Sequence, residues 1–497
     1  MQLNQDNLEV LPSSIQCPLY NRDEQKPSIV HIGVGGFHRA HQAFFLDELL
    51  NNGLTDWTIC GMGLKPEDNL IYKALKEQDY LYTLVVKHSD NAICPRVIGS
   101  IVNYIFVPDN HASAIEKLSD PQVKIVSLTI TEGGYNFDTN GYFIIGNPDI
   151  QWDIHHPQMP KTVFGLLAAA LKIRKERNIP AFAVLSCDNI QHNGDVAKKM
   201  LLSFTDAVDT VLSEWIQANV CFPNSMVDRI TPVTTENDSK LLNEKYGIED
   251  ACSVTCEPFI QWVLEDNFPN GRPAWEKVGV QFVPNIDPYE KMKIRLLNAG
   301  HSFLGLIGSL AGYDTIDESM NDPLLQKSLR SFMDEEVTPL LGAIEGMDLE
   351  EYKNSLFRRF ENPNIKDQLT RICSESSAKL PKFLIPTILE QLERNGPIRY
   401  GVLALAAWCR TLELYGAGQY PYPIQDALLE ELTEAATLSA GDQPLAFIEK
   451  QAVFGPLSHS FRWEETYLSS IHAIRTYGVK DAILRLCVYP QQACSEK

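Results

Sequence analysis

At 497 residues with 44% hydrophobic content, the chain is long enough for at least two domains and carries enough apolar side chains to bury their cores. Its 43 basic against 64 acidic residues give a formal net charge of −21, which repels nucleic-acid backbones and anionic membrane surfaces and argues against both as partners. Eleven cysteines, an odd count without regular spacing, fit reduced thiols in a cytoplasm better than a disulfide framework.

The first segment, Met1 to Ser14, is polar and mixed, without the basic start, apolar stretch and small-residue site of a signal peptide, so export is not expected. From Ser28 to Ile32 a β-branched apolar run enters Gly33-Val34-Gly35-Gly36, and the stretch from His38 to Asn51 has helical character. A second buried strand, Trp57 to Met62, follows the turn signal Asn51-Asn52-Gly53 and leads into Gly63-Leu64-Lys65-Pro66-Glu67-Asp68. That is a βαβ pattern. Further strand-like runs at Tyr80 to Val86, Lys124 to Thr131 and Ala181 to Ser186, with helical segments such as Thr162 to Asn178 between them, predict an α/β, doubly wound, largely parallel sheet. His155 and His156 precede Pro157 and read as surface residues. Cys252 and Cys256 form the one close cysteine pair, and no second pair or histidine cluster completes a zinc site, so no metal is expected.

After Pro288 the pattern turns to long helices: Tyr289 to Leu310, Pro323 to Leu341, Phe383 to Arg394, Tyr400 to Tyr415 and Ile424 to Thr437. The apolar stretch from Val402 to Cys409 ends at Arg410, well short of the ~20 residues a membrane-spanning helix needs. The reading places one domain at 1–284 and a mostly α-helical second domain at 285–497.

A glycine turn between a strand and a helix lets backbone approach a pyrophosphate at the helix N-terminus, and Gly33, Gly35 and Gly36 suit that role. The G-x-G-x-x-G fingerprint is incomplete, because His38 holds the third glycine position; an ordinary strand-to-helix turn remains open on this evidence. Glu67 and Asp68, just past the second strand, are placed to accept hydrogen bonds from an adenosine ribose and to repel a 2′-phosphate, which favours NAD over NADP. The other reading is a solvated acidic turn, since the spacing from Gly33 exceeds the usual ~20 residues.

The segment from Pro288 to His301 carries the richest chemistry. At ~100° per residue, Glu290, Lys293, Asn298 and His301 fall within an arc of roughly 140° on one helix. Ile294 and Leu297 lie inside that arc, so by pattern alone a polar face with incidental neighbours is the better reading.

The whole chain resembles the polyol-specific long-chain dehydrogenase/reductase family, also called the mannitol dehydrogenase family. The resemblance rests on the run His31 to Gln42 around the glycine turn, Leu128 to Tyr135, Ser186-Cys187-Asp188-Asn189 and Asn224 to Pro232. It continues in Cys256-Glu257-Pro258-Phe259, the Lys-x4-Asn-x2-His segment at 293 to 301, and Ser377 to Phe383. It implies a Rossmann-like first domain, a helical second domain and a zinc-free active site in the cleft between them. It also implies NAD as cofactor and a small polyol or ketose as substrate, D-mannitol to D-fructose foremost, in a cytoplasmic enzyme compatible with a monomer.

By the same resemblance Lys293, Asn298, His301 and Asn189 match catalytic positions. Asp228, Glu290, Arg371 and Lys379 match positions of substrate contact or site support, and Phe37 and Arg39 join the glycines in the cofactor-binding turn. One local departure is Ala299-Gly300, where the mannitol enzymes carry Gly-Ser. The chemistry these residues imply is removal of a hydroxyl proton by Lys293 as hydride leaves the carbinol carbon. A lysine's reference pKa of ~10.4 must fall toward ~7–8 for that task, which burial achieves by disfavouring the ammonium. Asn189 and Asn298 are expected to stabilise the developing alkoxide, and His301 to orient a substrate hydroxyl. Alternatives within the family are D-arabinitol oxidation and fructuronate or tagaturonate reduction; outside enzymes, an NAD-binding sensor.

Overall fold

Strand β1 (Lys26–Ile32) sits at the centre of a five-stranded, all-parallel sheet ordered β5-β2-β1-β6-β7, with β2 at Trp57–Gly63, β5 at Ile101–Phe106, β6 at Ile125–Leu128 and β7 at Ala183–Ser186. The structure, a computed structural model, describes residues 1–488 apart from 24, 91, 139, 458 and 459. Among these residues the chain divides into two compact units, the first ending at Asp287 and the second beginning at Pro288. The division falls inside the first turn of the helix Asp287–Met292.

The strands of the first unit are apolar at successive positions because a parallel sheet is covered on both faces. Alternate side chains point to opposite sides. Val30, Ile32, Val126, Leu128 and Val184 join one core cluster with Phe164, Leu167 and Leu171 of the helix Val163–Glu176. Ile29, Ile59, Ile125 and Leu185 join another with Phe45, Leu46 and Leu49 of the helix Gln42–Asn51. The sheet is therefore doubly wound, with its switch point between β1 and β6. The helical stretch expected from His38 to Asn51 is two helices, Gly36–Ala40 and Gln42–Asn51, separated at His41, whose φ of −125° and ψ of −84° lie outside the helical region.

The run expected near Tyr80 to Val86 is a strand, β3 (Tyr82–Lys87), but not one of the main sheet. It pairs antiparallel with β4 (Ile93–Ile98) and parallel with β9 (Val254–Cys256). A third sheet joins β8 (Ser225–Asp228), β10 (Gln261–Glu265) and β11 (Gln281–Val283).

The second unit is helical. Its centre is Arg399–Gly416, buried along nearly all its length from Tyr400 to Cys409, and packed against Ala299–Leu310, Leu429–Ser439 and Phe461–Tyr477. Truncating one of its core residues, such as Leu403, to alanine should cost ~2–5 kcal/mol. The helix expected over Phe383 to Arg394 is Ile385–Glu393, preceded by a separate helix Ser376–Phe383, and that expected from Ile424 begins at Leu429. Among the described residues no helix is long and apolar enough to cross a membrane.

Candidate active site

In the first unit the candidate residues lie at the carboxyl ends of β1 and β6, where a doubly wound sheet opens a crevice. Gly33 has φ +91°, and a Cβ there would fall 2.2 Å from the Thr129 carbonyl oxygen, so only glycine fits. Gly35 and Gly36 face no comparable obstacle: the nearest atoms to a Cβ lie 3.9 and 3.4 Å away. Their value is in the turn itself, which leads directly into the helix Gly36–Ala40 and its unpaired first-turn N–H groups. Beside the turn opens a cavity of about 460 Å³ whose lining includes Gly33, Gly35, Arg39, Asp68, Thr129 and Thr131.

The two acids past β2 separate clearly. Asp68 lines the cavity, its carboxylate accepting the Lys65 N–H at 2.9 Å, while Glu67 is exposed and outside the lining. Gly63 makes this placement feasible, because a Cβ there would lie 2.5 Å from Asp68 Cβ and 2.6 Å from the Tyr104 hydroxyl. Arg39 lines the cavity too, yet its guanidinium is taken up by the backbone carbonyls of Gly35 and Cys252. Nε donates to Gly35 O at 3.3 Å, Nη1 to Cys252 O, and the group lies over the Tyr82 ring at 5.4 Å. Phe37 is half-buried and stacks on His41, centroids 4.9 Å apart.

Asp188 holds the opposite wall. Its carboxylate accepts the N–H groups of Ile130 and Thr131 at 3.0 and 2.8 Å and the Tyr135 hydroxyl at 2.8 Å. These bonds fix Thr131, whose φ of +61° an unbraced threonine rarely adopts. Burial raises the Asp188 carboxyl above its usual range, against the pull of those three donors. Asn189, next along, is exposed, and Asp228 is buried at the end of β8 opposite Gln261.

In the second unit the candidate residues lie on one continuous helix with an irregular middle. Asp287–Met292 is α-helical, Lys293–Asn298 is π-helical, and Ala299–Leu310 resumes the α-helix. This changes the angular reading made from the sequence. In an unbroken α-helix, residues five apart stand ~140° apart around the axis. In a π turn the i→i+5 bond makes residues five apart neighbours on one side, and such turns concentrate at functional sites. Lys293 and Asn298 are the two ends of this turn.

The opposite side is tied down. Lys291 and Arg295 both bond Glu390, at 2.9 and 2.7 Å, and Arg295 also donates to Thr387 Oγ1 at 2.8 Å, clamping the turn to the helix Ile385–Glu393. Glu290 and Lys293 are buried, at 4% and 7% exposure. Asn298 Oδ1 is buried with no hydrogen-bond partner among the described residues, so this amide has unspent capacity where buried polar groups are normally satisfied. The His301 ring stacks on Phe360. A Cβ at Gly300 would come within 2.9 Å of Met333 Cε, the end of a flexible side chain that can move aside, so a small residue fits there.

Lys379 is half-buried on the helix Ser376–Phe383, which packs against the π turn. Its ammonium donates to Ile372 O at 3.2 Å, and burial, then the charge of Arg371, lowers its pKa. Arg371 is exposed and paired with Asp367, Nε to Oδ1 at 2.7 Å. The structure thus gathers Glu290, Lys293, Asn298 and His301 on one helix with Lys379 on a helix beside it, while Arg371 has its charge taken up locally. Sequence reasoning did not single out Thr129, Thr131, Lys65, Asp188 or Phe360. Of these, Thr129, Thr131 and Asp188 lay within runs that carry the family resemblance, with no role assigned to them there.

Comparison with known proteins adds the following. The pattern described as the mannitol dehydrogenase Rossmann domain matches residues 27–277, and that described as the mannitol dehydrogenase C-terminal domain matches residues 285–472. A mannitol 2-dehydrogenase of Neosartorya fischeri is 42% identical over 497 residues, covering 98% of each chain. Mannitol dehydrogenase 2 of Saccharomyces cerevisiae is 43% identical over 460 residues, 91% of each. Among solved structures, Pseudomonas fluorescens mannitol 2-dehydrogenase in ternary complex with NAD and D-mannitol is 44% identical, with a TM-score of 0.88 over 98% of this chain and 99% of that one. A D-sorbitol dehydrogenase in substrate-free form is 36% identical, with a TM-score of 0.89 over 97% of this chain and 100% of that one.

Proposed function

The chain belongs to the mannitol dehydrogenase family, and on that premise we propose that it interconverts D-mannitol and D-fructose with NAD, using Lys293 as general base and no metal. The observation that carries the reading is the π turn that brings Lys293 and Asn298 to one side of their helix, with His301 one α-helical turn further on.

The cofactor fits the first unit on structural grounds. The Gly33 cradle would be closed by any Cβ, and Asp68 presents a carboxylate to the cavity where an adenosine ribose needs an acceptor. The backbone around Gly33 to Phe37 would take the pyrophosphate, and NAD supplies the hydride acceptor when bound. The negative charge of Asp68 disfavours a 2′-phosphate at the same place.

The chain's own residues do the rest. A secondary alcohol becomes a ketone only if its hydroxyl proton is removed as hydride leaves, so the amine of Lys293 accepts that proton and becomes ammonium. In the reverse direction the ammonium returns it. A lysine serves this purpose where burial disfavours its charged form, and Lys293 is 7% exposed. The Asn298 amide supports the oxygen as it gains alkoxide character, a contribution of ~2.7–4 kcal/mol for one such donor. Asn189 is proposed as a second amide donor, to be tested by its own alanine variant. His301, fixed against Phe360, orients a neighbouring substrate hydroxyl, and Glu290 is proposed to return the proton to solvent.

The likeness to a D-sorbitol dehydrogenase supports a second reading, a different hexitol as preferred substrate. The deciding experiment is an NAD-coupled absorbance assay over D-mannitol, D-sorbitol, D-arabinitol and their keto partners, with fructuronate and tagaturonate, run with and without EDTA. The proposal expects D-mannitol and D-fructose to give the highest kcat/KM and EDTA to have no effect. A different best substrate overturns the substrate assignment, and loss on chelation with recovery on zinc overturns the mechanism.

A further inference from the structure

The backbone that follows β6 forms a wall of the cavity beside the glycine turn: Thr129, Ile130, Thr131, Gly133 and Gly134 all line it. This wall is bonded to the turn itself. Thr129 Oγ1 donates to the Gly33 carbonyl at 2.6 Å, and a Cβ at Gly33 would fall 2.2 Å from the Thr129 carbonyl oxygen. The two stretches of backbone are therefore in direct contact, and a displacement of the wall is felt at the turn. Two residues further on, Thr131 has φ +61°, a left-handed conformation that β-branched residues avoid.

That conformation is imposed from outside the segment, by one carboxyl group. Asp188 Oδ1 accepts the Thr131 N–H at 2.8 Å, while Oδ2 accepts the Ile130 N–H at 3.0 Å and the Tyr135 hydroxyl at 2.8 Å. Asp188 is itself anchored, because its carbonyl accepts Asn193 Nδ2 at 3.0 Å and the same amide nitrogen donates to the Ser225 carbonyl at 2.8 Å. Asp188 is 8% exposed, and it is not among the described residues that line the cavity. Its effect on a ligand there must pass through the backbone it holds.

We propose that Asp188 is a positioning residue for the dinucleotide: by holding Thr131 in its left-handed conformation it fixes the wall against the glycine turn, and so sets cofactor affinity without touching the cofactor. This rests on the NAD reading above. The physical reason is preorganisation. A strained backbone persists only where its surroundings over-determine it, and a wall released from Asp188 would have to be ordered again at each binding event, at the expense of affinity. Burying a carboxyl group is costly unless its oxygens are hydrogen-bonded, and the three bonds they accept all end on the wall or on Tyr135 just beyond it.

Titration of the full chain with NAD, wild type beside Asp188→Asn, tests this. Asparagine keeps the shape but offers one acceptor oxygen and sets an NH2 against a donor. NAD Kd should rise by ~10-fold to ~10²-fold, the penalty of an unpaired buried donor met when the cofactor orders the wall, and KM for NAD should rise more than kcat falls. The discriminating measurement repeats the substitution in Thr131→Gly, since glycine adopts positive φ without strain. There the penalty of Asp188→Asn should shrink by about threefold or more, the coupling expected of residues in one network. Wild-type affinity in Asp188→Asn, or an equal penalty in both backgrounds, overturns the proposal. Should Asp188→Asn fail to fold, Tyr135→Phe removes one donor from the same carboxyl group and keeps the ring; NAD Kd should then rise by about threefold to tenfold, and an unchanged Kd overturns the proposal as well. A wild-type chain that does not bind NAD overturns the cofactor reading itself and this proposal with it.

Discussion

The imidazole of His301 lies against the ring of Phe360, centroids 4.2 Å apart and planes 27° from parallel. Phe360 is fully buried on the helix Leu349–Phe360, so it serves as a flat stop that sets the rotation of the histidine. Phe360→Leu keeps most of the volume but removes that stop. Steady-state kinetics should then show kcat/KM for the polyol falling by ~10-fold to ~10²-fold through a higher KM, because a misplaced positioning group loses orientation. NAD affinity should stay unchanged. An equal loss in both ligands would show that Phe360 supports only the fold.

Asp68 lines the cavity beside the glycine turn, and Glu67 does not. Asp68→Asn should weaken NAD by ~10-fold to ~10²-fold, the worth of one hydrogen bond to a charged group, and should raise relative use of NADP. Glu67→Gln should change neither by more than twofold to threefold, as ordinary surface substitutions do. Kinetics with both cofactors decide it. A wild-type preference for NADP, or a larger effect at Glu67, contradicts this assignment.

A pH effect on stability should come from Glu336. Its carboxylate is fully buried and accepts the N–H groups of Tyr400 and Gly401 at 2.7 and 2.9 Å, capping the helix Arg399–Gly416. Burial dominates and pushes its pKa up to about 8 from 4.5. The folded state therefore holds this proton where the unfolded chain has released it. Its contribution is present below about 4.5 and is lost as pH rises through about 8. Thermal unfolding of wild type should weaken across that window, and Glu336→Gln should flatten the slope. An unchanged slope in the variant refutes the assignment.

The sequence pattern revealed the doubly wound sheet because strands such as Ile125–Leu128, buried at every position, are marked by unbroken apolar runs. It did not reveal which sheet Tyr82–Lys87 would join, since pairing with Ile93–Ile98 depends on partners distant from any local period. Lys293, Asn298 and His301 were legible as residue types. Their common side was not, because a π turn inserts its extra residue without altering composition, and the angular reading at α-helical pitch left Ile294 and Leu297 among them. Asp188 was hidden for a similar reason: its role is made by hydrogen bonds to backbone 58 and 57 residues earlier in the chain. The choice between Glu67 and Asp68 needed the close approach that Gly63 permits, which no spacing rule contains.

The central claim is that Lys293 exchanges the proton, and single-turnover rates of Lys293→Ala measured beside NAD titration test it most directly. The glycine turn that would take the cofactor belongs to the first unit, whereas Lys293 is carried by the π turn of the second, so NAD affinity should stay within about twofold to threefold of wild type, the scale of an ordinary surface change. The rate of polyol oxidation should fall by ~10²–10⁴, the range that general acid–base catalysis supplies. Turnover within about tenfold of wild type, less than such catalysis normally provides, would contradict the account and leave Lys293 a structural residue.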